Sequence, residues 1–109
     1  DKERVPFVGR YDGGHERYRP LLAAETAYRL KAGAVSLAAG DDCGVHSTEE
    51  YEEIIIVLEG EGEARVAGQP PAPLAAGSYA YVPPHTTHCI YNTGVTPLRY
   101  IYVVAPASP

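Results

Sequence analysis

Short apolar stretches, each closed by Gly or Pro, follow one another along most of the chain. They are rich in Val, Ile, Tyr and Leu, and the sequence holds eleven Gly and ten Pro. No window keeps apolar residues at helical spacing (i, i+3, i+4, i+7) over three turns. Because β-branched and aromatic residues between turn-forming residues are typical of strands, the pattern predicts an all-β protein.

The positions of Gly and Pro set the expected ends of the strands. A tight hairpin is expected at the EGEG of residues 59–62, since glycine tolerates the positive φ that such turns need. The segment 69–76 holds three Pro and is expected to be a loop. The predicted strands cover residues 26–31, 35–38, 53–58, 63–67, 78–82, 88–92 and 98–104. Short strands at regular spacing favour a closed barrel or a sandwich.

The length of 109 residues supports one domain with one modest core. Residues 1–20 have weaker periodicity and are predicted to be an N-terminal arm or edge segment, and residues 21–109 a single barrel domain. The run 54–58 is apolar without alternation, which favours burial on both faces and also fits a sheet that a partner chain covers.

Composition and charge exclude several classes of protein. Hydrophobic residues make up 45% and charged residues 21%, as in ordinary globular proteins. The net charge of -5 disfavours nucleic acid and anionic membranes as partners, because both are polyanions. No apolar run approaches the roughly 20 residues of a membrane span, and no signal-peptide pattern is visible. Cys43 and Cys89 are expected to be reduced thiols in a cytoplasmic protein, with one bridge between them as the alternative.

Two segments place histidines at fixed distances from glycine, proline and asparagine. The first segment consists of Gly40, His46, Thr48, Glu53 and Gly60. The second consists of Gly77, Pro83, His85, His88 and Asn92.

These segments resemble the two sequence motifs of the cupin superfamily, and in particular its small single-domain (cupin 2 type) barrel proteins. The resemblance covers residues 40–92, about half of the chain. It implies a double-stranded β-helix, or jelly-roll barrel, that binds one metal ion inside. Carried over by position, the metal ligands are His46, Glu53 and His88. The chain departs from the pattern at Thr48, where the family has a second histidine, and at His85, where it has glycine.

Elementary geometry supports the same set of ligands. Residues 46 and 48 share one face of a strand, and Glu53 opens the next strand, which we expect to pair with the strand of His46. Two imidazoles and one carboxylate form a triad that leaves coordination positions open. The set suits one divalent transition metal ion, Fe(II), Mn, Ni or Zn. The alternative is a barrel without metal that keeps His46 and His88 as polar core groups.

The remaining polar residues near the motifs receive simpler interpretations. Thr48 is expected to leave the fourth position to water or to hydrogen-bond a bound water, which weakens metal affinity by about 10–100-fold. His85 is expected in an exposed turn at the barrel mouth, with a place in the cavity as the alternative. His15 is expected to be a solvated residue of the arm. Glu52 is adjacent to Glu53 in sequence, so on a strand its side chain is expected to point to the opposite face, away from the inside of the barrel.

The two cysteines are not expected to be ligands. Cys89 follows His88 on a strand, so alternation turns it to the opposite face. Cys43 is interpreted as a small loop residue, with a place near the barrel mouth as the alternative.

Tyrosine dominates the aromatic residues, with nine Tyr against one Phe. Tyr79 and Tyr81 share one strand face, as do Tyr100 and Tyr102. Such stripes pack a barrel, line an aromatic pocket or form a subunit interface. Together with the resemblance, they favour a homodimer.

The first functional hypothesis is a metal-binding cupin that acts as an enzyme of oxygenase or isomerase/lyase type on a small molecule. The alternative is a non-enzymatic module that binds or senses a small ligand. The sequence assigns no catalytic residue and leaves open whether the protein is an enzyme.

Overall fold

Two antiparallel sheets make up the computed structural model, which describes residues 3–14 and 16–107. The strands are β1 (Tyr18–Leu22), β2 (Lys31–Leu37), β3 (His46–Ser47), β4 (Tyr51–Glu59), β5 (Glu61–Val66), β6 (Ala72–Ala75), β7 (Tyr79–Val82), β8 (Thr87–Tyr91) and β9 (Leu98–Pro106). One sheet has the order β1-β2-β9-β4-β7 and the other β3-β8-β5-β6. The all-β prediction is confirmed.

The central strand β4 shows how the sequence divides between the inside and the outside of the barrel. Ile55 and Val57 are each 1% exposed, whereas Ile54, Ile56 and Leu58 are 38–43% exposed. Side chains alternate between the two faces of a strand, so the odd-numbered residues of β4 face the opposite sheet. The expectation that this run is buried on both faces is therefore wrong for the single chain.

The hydrophobic core lies between the sheets and fills one end of the barrel. Leu37 and Leu98 pair across β2 and β9 and are fully buried, and they pack with Val57 and Ile90. Burial of each such side chain contributes about 1.5–3 kcal/mol. Lys31 at the start of β2 and Val104 near the end of β9 lie outside this core and line a cavity between the sheets.

The first predicted strand, 26–31, is wrong. The backbone N–H groups of Thr26 and Ala27 both donate to the Ala23 carbonyl, which makes this segment a turn. The next strand, β2, then runs through Gly33, which the sequence suggested as a break. A Cβ at Gly33 would lie 2.6 Å from the ring of Tyr18 and 2.8 Å from that of Tyr102. The glycine is required for close packing rather than for a turn.

The region of residues 59–76 differs from both predictions made for it. Gly60 does form a turn between β4 and β5, with φ of 90° and a Cβ position 2.3 Å from the Pro97 carbonyl oxygen, but the predicted hairpin is wrong, because β4 belongs to the five-stranded sheet and β5 to the four-stranded sheet. The loop predicted at 69–76 contains strand β6, which pairs with β5 at the edge of its sheet. Proline is tolerated on an edge strand, so Pro73 does not prevent this pairing.

The N-terminal part lies along the edge of the five-stranded sheet. Strand β1 pairs with β2 and includes residue 20, where the predicted arm meets the predicted barrel. The division into arm and barrel remains a prediction. His15, predicted to be a solvated residue, lies outside the described residues. Within the described part of the chain, we find no helix with the length and apolar character of a membrane span.

Candidate metal centre

The three predicted ligands come together at one point between the sheets. One ligand atom from each of His46, Glu53 and His88 lies within 4.8 Å of the others. His46 and His88 are direct partners across β3 and β8, with ring centroids 4.4 Å apart. Glu53 belongs to β4, which pairs with β7 and β9. The expected pairing of its strand with that of His46 is therefore wrong, and the carboxylate reaches the histidines from the facing sheet.

Hydrogen bonds to the backbone select one neutral tautomer for both imidazoles. His88 Nδ1 lies 3.0 Å from the Thr86 carbonyl oxygen, and His46 Nδ1 lies 2.8 Å from that of Gly44. Because a carbonyl oxygen only accepts, Nδ1 donates in both rings, and the neutral tautomer carries its lone pair on Nε2. The same arrangement orients histidine ligands in metal sites.

The contact between His88 and Glu53 is unsatisfied in the absence of a cation. His88 Nε2 lies 2.9 Å from Glu53 Oε1, and the two side chains are only 2% and 9% exposed. A proton placed on Nε2 does not align with a hydrogen-bond acceptor, so this buried atom has no hydrogen-bond partner. Since a lone pair that faces a carboxylate oxygen is repulsive, a cation bound by both groups removes the conflict. The donor set and this unpartnered nitrogen fit a divalent metal ion.

The ionisation of His88 responds to the same neighbours. Burial alone lowers the pKa of His88, but the Glu53 carboxylate 2.9 Å from Nε2, together with the Thr86 carbonyl, outweighs burial and raises it. A proton and a metal ion therefore compete for the same nitrogen.

A cavity of about 400 Å³ adjoins the three side chains. His46 is exposed at its opening, so the centre is accessible to solvent and small molecules. The phenols of Tyr100 and Tyr102 lie in its wall, and burial, followed by neighbouring groups, raises the pKa of each. Both phenols therefore remain protonated near neutral pH, and the Tyr102 hydroxyl donates to the Tyr18 hydroxyl at 3.1 Å. The other lining residues are Lys31, Val35, Cys43, Ser47, Thr48, Tyr51, Ile55, Ile90 and Val104.

Thr48, which replaces a histidine of the family motif, is bound to the backbone. Its hydroxyl donates to the Pro83 carbonyl at 2.7 Å and accepts from the Thr86 N–H at 3.1 Å. The single hydroxyl proton is thus used, so Thr48 does not donate to a bound water. Thr86 in turn provides the carbonyl that orients His88. Thr48 consequently supports a ligand through the backbone of the loop before β8.

Two other motif residues have structural explanations. His85 is exposed, does not line the cavity and has φ of 54°, a left-handed conformation that glycine adopts most readily. This explains why the family motif has glycine at that position. Asn92 is buried, and its amide nitrogen donates to the carbonyls of Leu37 and Thr96. The motif asparagine therefore closes a turn rather than binding a metal.

The cysteines differ in their relation to the site. Both are free thiols. Cys89 is 2% exposed and does not line this cavity, and burial, together with nearby Cys43, raises its pKa to about 11. Cys43 does line the cavity, and its sulfur accepts a hydrogen bond from the Ile90 N–H at 3.2 Å. Its place in the wall matches the alternative that the sequence left open.

Sequence reasoning missed two residues of the cavity mouth, Lys31 and Tyr51. Strand alternation could have identified both, because residues an even number of positions apart share one face of a strand. Tyr51 lies two residues before Glu53 on β4, and Lys31 lies four residues before Val35 on β2. For Lys31 this alternation was hidden, because residues 26–31 were wrongly assigned to a separate strand.

Comparison with known proteins agrees with this geometry. The Cupin domain family model matches residues 33–104, and the chain belongs to that family. The double-stranded β-helix predicted from the sequence is confirmed by this match and by the solved structures that share the fold. No protein of curated function matches the chain significantly.

Three solved structures illustrate the similarity. A predicted oxalate decarboxylase from Thermotoga maritima is 28% identical, with a TM-score of 0.77 over 82% of this chain and 78% of that one. The protein TT1209 from Thermus thermophilus is also 28% identical, with a TM-score of 0.74 over 92% of this chain and 91% of that one. The DMSP lyase DddQ from Ruegeria pomeroyi is 25% identical, with a TM-score of 0.72 over 81% of this chain and 45% of that one. The chain thus spans less than half of the length of the lyase.

Proposed function

We propose that this cupin binds one divalent transition metal ion through His46, Glu53 and His88 and acts on a small molecule held in the adjoining cavity. The observation that carries the proposal is the buried Nε2 of His88, which makes no aligned hydrogen bond and lies 2.9 Å from a carboxylate oxygen of Glu53. His46 is the exposed member of the same centre, which leaves an approach for substrate.

Enzymatic activity of the lyase type is the form of the proposal that the similarities favour. Two solved relatives are described as a predicted oxalate decarboxylase and a lyase. A metal bound here would act as a Lewis acid that stabilises negative charge developing on a substrate oxygen. Three protein ligands suit this purpose, because they leave coordination positions for the substrate.

The side chains of the cavity have separate tasks in this proposal. Tyr100, protonated at neutral pH, is the phenol that donates to a substrate oxygen in this proposal, whereas the hydroxyl of Tyr102 donates to the Tyr18 hydroxyl at 3.1 Å and offers only lone pairs to the cavity. The apolar residues Val35, Ile55 and Ile90 exclude water from the inner wall. The backbone carbonyls of Gly44 and Thr86 hold the two imidazoles in position before substrate arrives.

The direct test is metal content by mass spectrometry on protein purified without an affinity tag, followed by calorimetric titration of Mn²⁺ and Zn²⁺ into metal-free protein. We expect one ion per chain in the wild type. His88→Ala and Glu53→Gln should each lower the affinity by at least about 100-fold, since even changes outside the ligand shell cost about 10–100-fold.

His85→Asn is the matched control. It removes an imidazole that lies outside the cavity and retains a residue tolerant of positive φ. Its metal affinity should equal that of the wild type. No saturable metal binding in the wild type, or equal loss in His85→Asn, would overturn the proposal.

The second candidate is a non-enzymatic module that binds a small ligand. It is favoured by Thr48, whose hydroxyl is bound to the backbone where the family motif has a ligand. Ligand binding that is unchanged after metal removal, without turnover, would support this candidate over the first.

A further inference from the structure

The mouth of the cavity carries one fixed positive charge. Among the described residues that line the cavity, Lys31 is the single Lys or Arg. It opens β2, and its Nζ lies 4.9 Å from the ring centroid of Tyr51, which opens β4. A cation over an aromatic face is attracted by the ring, so the exposed side chain of Lys31 is directed across β9 toward Tyr51.

This ammonium group lies on the same wall as the candidate metal centre. Tyr51 and Glu53 are alternate residues of β4 and both line the cavity. Their Cα atoms are about 7 Å apart, as for any alternate residues of a strand. Lys31 and Glu53 are both register partners of Val104 on β9, so their Cα atoms lie two strand spacings apart, about 10 Å, a distance that a short molecule spans.

The charges of the cavity favour an anion with two separate groups. A divalent ion bound by one carboxylate and two neutral imidazoles retains net positive charge. Lys31 adds a second positive charge at the mouth, and the only acidic residue in the described cavity wall is Glu53. A ligand with a negative charge at each end matches both positions.

We infer that Lys31 selects the substrate class: it binds the second carboxylate of a small dicarboxylate whose first carboxylate is directed to the metal centre. The inference rests on the proposed function, because the first position needs the metal. It makes Lys31 a specificity-determining residue, and Tyr51 the residue that positions it.

The test uses succinate and succinamate as probes, which have nearly the same shape and differ by one carboxylate. Each is titrated calorimetrically into zinc-loaded protein. We expect the wild type to prefer succinate by about five- to tenfold, because a charge-assisted hydrogen bond is weakened by partial exposure. The preference should disappear in Lys31→Gln and persist in Lys31→Arg.

Arg29→Gln is the matched control, since it changes the net charge equally, lies two residues away and is outside the cavity wall. It should keep the preference of the wild type. Added salt should weaken succinate binding more than succinamate binding in the wild type, and equally in Lys31→Gln.

The outcomes separate this inference from the proposed function. Stoichiometric zinc with the same succinate preference in wild type and Lys31→Gln would overturn the role of Lys31 and leave the metal site standing. Absence of metal binding would overturn both. Loss of preference in Arg29→Gln as well would reveal only a general effect of net charge and would also overturn the inference.

Discussion

His46 and His88 face each other across β3 and β8, and the Nδ1 of each ring is hydrogen-bonded to the carbonyl two residues earlier. Both imidazoles are thus oriented by their own backbone, and one ligand atom of each lies within 4.8 Å of a carboxylate oxygen of Glu53 on the other sheet. The site is preorganised by two short loops that hold the rings. Changes to those loops should affect the site without removing a ligand.

Thr48→Val tests the loop before β8. The substitution preserves shape but leaves the Pro83 carbonyl and the Thr86 N–H without their partner. Unfolding in urea should show a loss of about 1–3 kcal/mol, the cost of unsatisfied buried groups. Metal affinity should fall by no more than about tenfold, because only the support of His88 is altered.

Thr48→Ser is the control, because it keeps the hydroxyl and should remain close to wild type in both measurements. A fall in metal affinity in Thr48→Val as large as in His88→Ala would mean that the hydroxyl is itself a ligand.

The pH dependence of stability should reverse when metal is removed. In metal-free protein the raised pKa of His88 adds stability that is fully present below the unfolded pKa of about 6.5. That contribution is lost as pH rises through the folded pKa. With metal bound, stability should instead increase over this range, since the ligand must be neutral.

Urea unfolding from pH 5.5 to 8.5, with EDTA or with zinc, measures both trends. His88→Gln should remove the His88 component from the metal-free curve. Parallel curves for the wild type with and without zinc would contradict the assignment of His88 as a ligand.

The backbone at His85 predicts a stabilising substitution. Its φ of 54° is unfavourable for a residue with a side chain, and the imidazole is exposed. His85→Gly relieves this conformation at some cost in the entropy of the unfolded chain, so it should be neutral or stabilising by up to about 1 kcal/mol. His85→Val should destabilise by about 1 kcal/mol or more, because β-branched residues rarely adopt this conformation. Thermal unfolding of the two variants measures the difference, and equal melting temperatures would contradict the explanation.

The homodimer expected from the sequence remains a prediction, and the outer face of β4 and β7 is where we expect it. The register places Ile54 beside Tyr81 and Ile56 beside Tyr79, and all four are exposed. A contiguous exposed apolar face of this kind is typical of protein interfaces. Light scattering coupled to size exclusion should give twice the chain mass for wild type and the single mass for Ile56→Lys.

Val95→Lys is the control for the dimer. It introduces the same charge at an exposed position in the loop before β9 and should leave the mass unchanged. A wild-type mass equal to one chain would show that this face is not a self-association surface.

The sequence by itself determined the all-β fold, the cupin resemblance and the positions of three candidate ligands. Sequence spacing was enough for these predictions because strand alternation and turn formation depend on neighbouring residues. The inward direction of Glu53 and the turn before His88 can both be read from the residues beside them. Strand pairing is not local. Only the tertiary structure decided that Glu53 reaches the histidines from the facing sheet.

The same reason explains the remaining differences. Gly33 resembles a strand break in the sequence, but the rings of Tyr18 and Tyr102, from β1 and β9, require a residue without Cβ there. Thr48 resembles a lost ligand, but its partners lie 35 and 38 positions away in sequence. Lys31 shares the parity of Val35, but that signal depends on the correct start of β2, which the sequence placed four residues too late. Its place at the cavity mouth results from the register of β2, β9 and β4, which long-range packing fixes.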